Sequence, residues 1–192
     1  MKKLIAAVLM MCLAAMAWGQ SDHLTFKGVP IDGTLSEFSA KLQQKGVMYM
    51  GQENGIAMFS GEFAGYRDCL IGAVSSTGTE VVCKVAVIFS DRDTWSALYG
   101  NYSSLKDMLT LKYGSPSSCT ERFDGYSNPT DDNSKMYEVK FDRCKYLTRW
   151  ETDKGDIELY IEHNDVSKCY VMLVYWDKIN YEKTKSSAMD DL

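Results

Sequence analysis

The chain is 192 residues long, with 45% hydrophobic, 24% charged and 12% aromatic residues and a formal net charge of −5. That mixture excludes a disordered polyelectrolyte, and 14 glycines with 3 prolines exclude a collagen-like polymer or a linker. The acidic balance argues against a nucleic-acid binder, which needs a basic footprint.

Lys2 and Lys3 precede an uncharged apolar run from Leu4 to Ala17, and Ala15-Met16-Ala17 has the small-x-small form of a cleavage site. The pattern predicts a secretory signal peptide over residues 1–19 and a periplasmic or secreted product. The run falls short of the ~20 residues that a spanning helix needs. Met11, before Cys12, lacks the small side chain that lipoprotein processing requires. No later stretch is long and apolar enough to span, so no membrane span is expected after cleavage. Cleavage removes two lysines and no acid, which leaves a domain of about 173 residues with a net charge of −7.

Cleavage also removes Cys12 and leaves Cys69, Cys83, Cys119, Cys144 and Cys169, an odd number in an oxidising compartment. The spacings contain no CxxC and match no zinc framework, so neither a metal nor a cofactor is expected. If adjacent strands pair as hairpins, Cys69 faces Cys83 and Cys119 faces Cys144 as candidate disulfides. Cys144 with Cys169 is a rival pairing, and buried reduced thiols are the other alternative.

Along the chain, His23 to Ile31 reads as a short opening strand. Thr34-Leu35-Ser36-Glu37 is a capping box, followed by Leu35, Phe38 and Leu42 at helical spacing and by Gly46 as a terminator. From Val47 the period becomes two. Strands are predicted over 47–51, 56–62, 66–74 and 80–89, with Asn54-Gly55 as a hairpin signal. Asp91 and Asp93 are N-cap candidates for a second helix, in which Trp95, Leu98, Tyr102, Leu105 and Leu109 make one stripe. Gly114 and Pro116 end it. Further strands are predicted over 119–123, 136–144, 146–151, 156–163 and 169–176, the second and third of which could be one bent strand. Residues 124–134 read as a polar hairpin loop, and 178–192 as a polar C-terminal tail, frayed or weakly helical.

Helix plus four strands therefore occurs twice, over about 34–89 and about 93–176. Leu35-Ser36-Glu37-Phe38 aligns with Leu105-Lys106-Asp107-Met108, and Lys45-Gly46 with Tyr113-Gly114. This order resembles the β-lactamase-inhibitor-protein-like architecture, seen also in small outer-membrane assembly lipoproteins of the SmpA/OmlA type. The resemblance covers residues 34–176 and implies that the two units form one curved antiparallel sheet with two helices packed on one face; a single α+β domain is expected over 20–177. Separately, Phe26–Gly33 (FKGVPIDG), Tyr113–Pro116 (YGSP) and Tyr175–Asn180 (YWDKIN) resemble segments of small secreted proteins of unknown function from Gram-negative gut anaerobes. That likeness implies export and this fold, and it supplies no catalytic residues.

Candidate chemistry is sparse. There is no G-x-S-x-G elbow and no glycine-rich phosphate loop. His163, beside Glu162 and Asp165, is the one candidate general base, and a hydrolase with an unfamiliar site there is the alternative reading. His23 reads as incidental. Glu158 and Glu162 stand four residues apart on one strand, which is ~13 Å and too far for either glycosidase geometry. Asp124, Asp131, Asp132 and Asn133 lack the EF-hand pattern for calcium. The remaining signal is aromatic: Tyr146, Trp150, Tyr160, Tyr170, Tyr175 and Trp176 crowd the C-terminal strands. A sheet covered by helices on one side leaves the other face free. The expected function is thus a non-enzymatic exported binding module that engages a protein or envelope component through Tyr160, Trp150, Glu158 and Glu162 on that open face.

Overall fold

The computed structural model describes residues 21–76, 80–125, 128–164 and 168–190; the predicted signal peptide lies outside the described residues. The chain opens with a small hairpin, β1 (Thr25–Phe26) and β2 (Val29–Pro30). It continues through α1 (Leu35–Gln43), β3 (Met48–Glu53), β4 (Ile56–Phe63), β5 (Tyr66–Ser75) and β6 (Val82–Ile88). The second half comprises α2 (Trp95–Tyr113), β7 (Ser118–Phe123), α3 (Asp132–Lys140), β8 (Cys144–Thr152), β9 (Gly155–Asn164), β10 (Lys168–Asp177) and α4 (Lys178–Asp190).

The fold is α+β, built on one antiparallel eight-stranded sheet in the order β3-β4-β5-β6-β10-β9-β8-β7. Each half is a four-strand meander, and the two meanders meet through their last strands, β6 and β10. Val87 pairs with Leu173, and Val85 with Tyr175. One face is covered. The packing of α1 is against β3, β4 and β5, while α2 and α3 pack against β8, β9 and β10. Alternation decides which residues face the helices. Ile71, Val85, Val87, Ile157, Leu159, Val171 and Leu173 are all buried there. Tyr102 of α2 hydrogen-bonds the fully buried Thr148 of β8 at 2.6 Å. Trp95, Phe123 and Tyr146 interlock beside it, with Trp95–Tyr146 centroids 5.0 Å apart.

The capping box at Thr34 and Glu37 is present at the start of α1. For α2 the cap is Thr94, which accepts from the Ala97 amide at 3.3 Å, and neither Asp91 nor Asp93 serves. The strand predicted over 136–144 is instead the helix α3. Asp131 and Ser134 form a second capping box, and Met136 and Val139 bury its inner face. The polar loop therefore ends earlier, and β8 alone follows the helix. The tail after Asp177 is helical to Asp190.

The five cysteines among the described residues are all free thiols. Register explains why the expected cross-strand pairs do not form. Leu70 faces Ile88 and Val74 faces Lys84, which puts Cys69 and Cys83 towards opposite ends of the ladder. Cys119 faces Thr148, and Cys144 faces Phe123. Cys169 faces His163, so β9 lies between it and Cys144.

Below the β6–β10 seam lies a buried polar knot that includes His23. Asp177, fully buried, caps α4 by accepting from the Asn180 amide at 2.9 Å. It also accepts from the Leu24 amide at 2.9 Å, and His23 Nδ1 lies 3.0 Å away. Asn180 Nδ2 donates to the Ile31 carbonyl, the Val82 carbonyl and Asp32 Oδ1. The knot thus ties the opening hairpin, β6, β10 and α4 together. Burial alone would raise the Asp32 carboxyl, but hydrogen bonds from Asn180 and the Gly33 amide and the nearby His23 hold it below its usual value. Gly155 sits beneath β10 with φ +150°, and an added Cβ would meet the Trp176 carbonyl at 2.0 Å, so only glycine fits.

Replacing Asp177 by Ala strands two buried donors, the Leu24 and Asn180 amides, each worth roughly 1–3 kcal/mol when unpaired, and takes the partner from half-buried His23 as well. Asp177→Ala is therefore expected to lower unfolding stability by about 3 kcal/mol or more. Urea denaturation is the measurement; a loss under about 1 kcal/mol would show that the knot is not structural.

Candidate functional site

The uncovered face of the sheet gathers the exposed functional groups, and the register fixes their neighbours. One row runs Lys84, Trp176, Asp156 and Glu151 across β6, β10, β9 and β8. The next runs Met58, Gly72, Ala86, Val174, Glu158 and Arg149. A third runs Met48, Ser60, Leu70, Ile88, Met172, Tyr160 and Leu147.

The second half of this face holds a connected polar cluster centred on Glu158. Its Oε2 accepts from the Tyr160 hydroxyl and from Trp176 Nε1, the latter at 2.9 Å. Arg149 reaches Asp156 at 2.5 Å, Glu151 at 3.5 Å and Glu158 at 3.8 Å. Lys84 lies over the Trp176 ring, 4.4 Å from its centroid, and Tyr181 of α4 meets the same ring edge-on at 5.1 Å. Partial burial and the carboxylate of Glu158 raise the Tyr160 phenol, so it stays a neutral donor. Beside it, a cleft of about 430 Å³ lies between Arg149, Asp156, Trp176 and the α4 residues Lys178, Tyr181 and Lys185. Tyr, Trp and Arg are the residue types that dominate binding hot spots.

The first half of the face is apolar. Met48, Met50, Ile56 and Leu70 are exposed large hydrophobics, with Met48 at 65%. Met58, Ile88 and Met172 extend them towards the seam, each half-buried. Methionine side chains adapt to varied partner shapes, and contiguous exposed apolar area marks an interaction surface.

Of the residues expected on this face, Tyr160 and Glu158 are brought together by a hydrogen bond. Glu162 shares their side of β9, half-buried and opposite Tyr170. Burial raises its carboxyl pKa, partly offset by His163 and reinforced by Asp142. Trp150 is not on the open face. It is 1% exposed, points into the core and donates Nε1 to the Gly114 carbonyl at 3.1 Å. Alternation along β8 leaves Arg149 as the outward residue at that level. Arg149, Trp176, Asp156 and Lys84 complete the cluster; the signal that finds them is cross-strand register, which places Arg149 opposite Glu158.

Among the described residues, the His163 region does not assemble a nucleophile. His163 Nε2 lies 2.8 Å from Asp142 Oδ1, and Cys169 is its ladder neighbour. Burial raises the Cys169 thiol and pushes Cys144 up to about 12. Both thiols stay protonated at neutral pH, whereas thiol nucleophiles act as thiolates. The acidic residues after β7 have structural partners. Asp124 pairs with Arg122 and Lys145, Asp131 caps α3, and Asp132 accepts from the Ser96 amide and hydroxyl. Among the described residues no group of three or more His, Cys, Asp and Glu could hold a metal ion, and no helix is long and apolar enough to cross a membrane.

A scan against protein-family models, a search of curated proteins and a search of solved structures each returned no match for this chain.

Two outcomes follow from this geometry. Trp150→Ala empties a core site and removes a hydrogen bond, so a loss of about 3–5 kcal/mol is expected in denaturant unfolding; Tyr160→Ala, on the wet face, is expected to cost under about 1 kcal/mol. For Glu162, a carboxyl raised in the folded state favours folding only while protonated. Stability from this group is full below its ordinary value of 4.5 and is lost as pH rises through the raised folded value. Glu162→Gln should therefore be more stable than the parent at pH 7, and the two melting curves should converge below about pH 4. A gap independent of pH would contradict that origin.

Proposed function

We propose that this protein is an exported, non-enzymatic binding module that grips a protein or envelope component through its open sheet face. The observation that carries the reading is the composition of that face. An exposed methionine-rich half adjoins a half in which Tyr160, Trp176 and Arg149 are held in place by Glu158 and Asp156. A sheet that served only as a scaffold would carry short polar and charged side chains on its wet side. Here the wet side exposes apolar area at one end and rigid aromatic and guanidinium groups at the other. Apolar area supplies affinity, and the fixed polar groups supply orientation. The tandem unit order, for which a resemblance to β-lactamase-inhibitor-protein-like architecture is noted above, is compatible with a face of this kind serving as a binding surface.

Site-specific photo-cross-linking in the native envelope tests this directly. A photoreactive residue at Leu70, on the open face, is expected to capture a discrete partner. The same residue at Leu111, 89% exposed on the outer side of α2, is expected to capture none. Tyr160→Ala and Arg149→Ala should each reduce the Leu70 adduct by about tenfold while leaving the melting temperature nearly unchanged. Equal capture from both positions, or capture indifferent to both substitutions, would remove the open face as the binding surface.

A further inference from the structure

The described cysteines differ in their surroundings. Cys69, Cys83 and Cys169 are buried, and Cys144 is half-buried on β8. Burial raises all four of these thiols. The sulfurs of Cys69 and Cys83 turn to the backbone carbonyls of Tyr66 and Val74. Cys119 alone of the five is exposed. It stands on the edge strand β7, on the helix-covered side, opposite Thr148. There its sulfur meets polar groups: Lys106 Nζ donates to Sγ at 3.3 Å, and the Thr148 hydroxyl lies 3.4 Å away.

Two elements bring this cluster together. Lys106 follows Tyr102 by four residues on α2, so the two share a helix face. Tyr102 is anchored on β8 by its hydrogen bond to Thr148, and Lys106 therefore comes down beside β7. Glu121, two residues along β7 from Cys119, points to the same side and holds Lys106 Nζ at 2.6 Å. The Lys106 and Glu121 side chains are 26% and 29% exposed, so salt screens this pair less than a fully exposed one. A sulfur, a cation within hydrogen-bond reach and a carboxylate that fixes the cation together form the arrangement of an oriented nucleophile.

We propose that Cys119 is the reactive thiol of this protein and takes a mixed disulfide from a low-molecular-weight disulfide, with Lys106 as its positioning residue. Such exchange runs through the thiolate. Cys119 Sγ gives up its proton to solvent and attacks one sulfur of the disulfide. The new S–S bond forms as the old one breaks. The electron pair leaves with the other sulfur, as a small thiolate that takes a proton from water. Cys119 is oxidised by the bond it forms and the leaving sulfur is reduced, so the small disulfide is the only oxidant. The Lys106 ammonium lies beside the sulfur on which negative charge gathers for the attack. The edge position leaves that sulfur within reach of solvent. Charge and access therefore select the same cysteine. The site lies on the covered side of β7 and is independent of any open-face partner.

Time-resolved mass spectrometry of the native protein with bis(2-hydroxyethyl) disulfide, an uncharged probe, tests this. Peptide mapping is expected to place the adduct on Cys119 well before any appears on Cys69, Cys83, Cys144 or Cys169. In guanidinium chloride that preference should vanish, because the fold creates it. Lys106→Gln is expected to slow native labelling of Cys119 by about tenfold, and Lys106→Arg to keep it within about threefold of the parent. Loss of structure would speed labelling, so a slower rate reports the missing ammonium. Cys119→Ser should leave the other four unlabelled over the same time. Labelling first at another of these cysteines, or none at Cys119, overturns the proposal. So does a preference that persists in guanidinium chloride, a Lys106→Gln protein that reacts as fast as the parent, or a Lys106→Arg protein as slow as Lys106→Gln.

Discussion

The pairing of β6 with β10 is the contact on which the rest of the molecule depends. Each meander is local in sequence and could close its own hairpins. Neither alone can bury a helix on one side and keep a broad sheet beneath it. The seam from Ile88–Met172 to Lys84–Trp176 joins residues more than eighty positions apart, and it turns two partial cores into one. Val85, Val87, Leu173 and Tyr175 fill its inner side. Its outer side carries Ala86, Ile88, Met172 and Val174, small or flexible enough to leave the open face level at the middle. The buried knot at Asp177 then fixes the foot of the seam. It recruits the opening hairpin and α4, which have no place in either meander, by satisfying backbone groups that the sheet leaves unpaired.

Much of this order is legible in the sequence because it rests on local periodicity. The capping box at Thr34, the stripe from Trp95 to Leu109 and the clean alternation in Ile157-Glu158-Leu159-Tyr160-Ile161 each state an element and its buried face without reference to anything distant. Helix α3 is not legible in that way. It is short, and only Met136 and Val139 are buried, so its apolar residues are too few to declare a period. Its sign is the cap, Asp131 with Ser134, which a loop rich in Asp, Asn and Ser conceals. Register is illegible for a different reason. The β5–β6 ladder pairs Leu70 with Ile88 and Val74 with Lys84, and that long-range phase, which no local pattern announces, leaves Cys69 and Cys83 at opposite ends.

The candidate site divides along the same line. Tyr160 and Glu158 follow from alternation within β9, and their contact is a local one. Arg149 and Trp176 require knowing that β8 and β10 flank β9 and in what phase. Trp150 shows the hazard of reading residue type before phase. It is a natural hot-spot residue by chemistry, yet its neighbours Thr148 and Thr152 share its side of the strand, and Thr148 is fully buried. His23 shows the converse. Nothing beside it in the sequence marks it, and its partner Asp177 lies at the other end of the chain.

The polar half of the open face has consequences for how it can be used. Glu158 is already hydrogen-bonded to Tyr160 and Trp176, and Arg149 is already paired with Asp156. A partner that merely covered these groups would remove their water without replacing their bonds, which costs free energy for each charge buried. The groups are held rigid, however, so a partner offering matched donors and acceptors loses little entropy in ordering them. Such a surface discriminates more than it attracts. The attraction has to come from the methionine-rich half, whose apolar area carries no such penalty and whose side chains can adapt. Under the proposed binding role, affinity and selectivity fall on opposite halves of one sheet. In that reading the seam that joins the halves also sets the distance between them, so a change on its buried side, at Val85, Val87 or Leu173, would alter recognition without touching the open face.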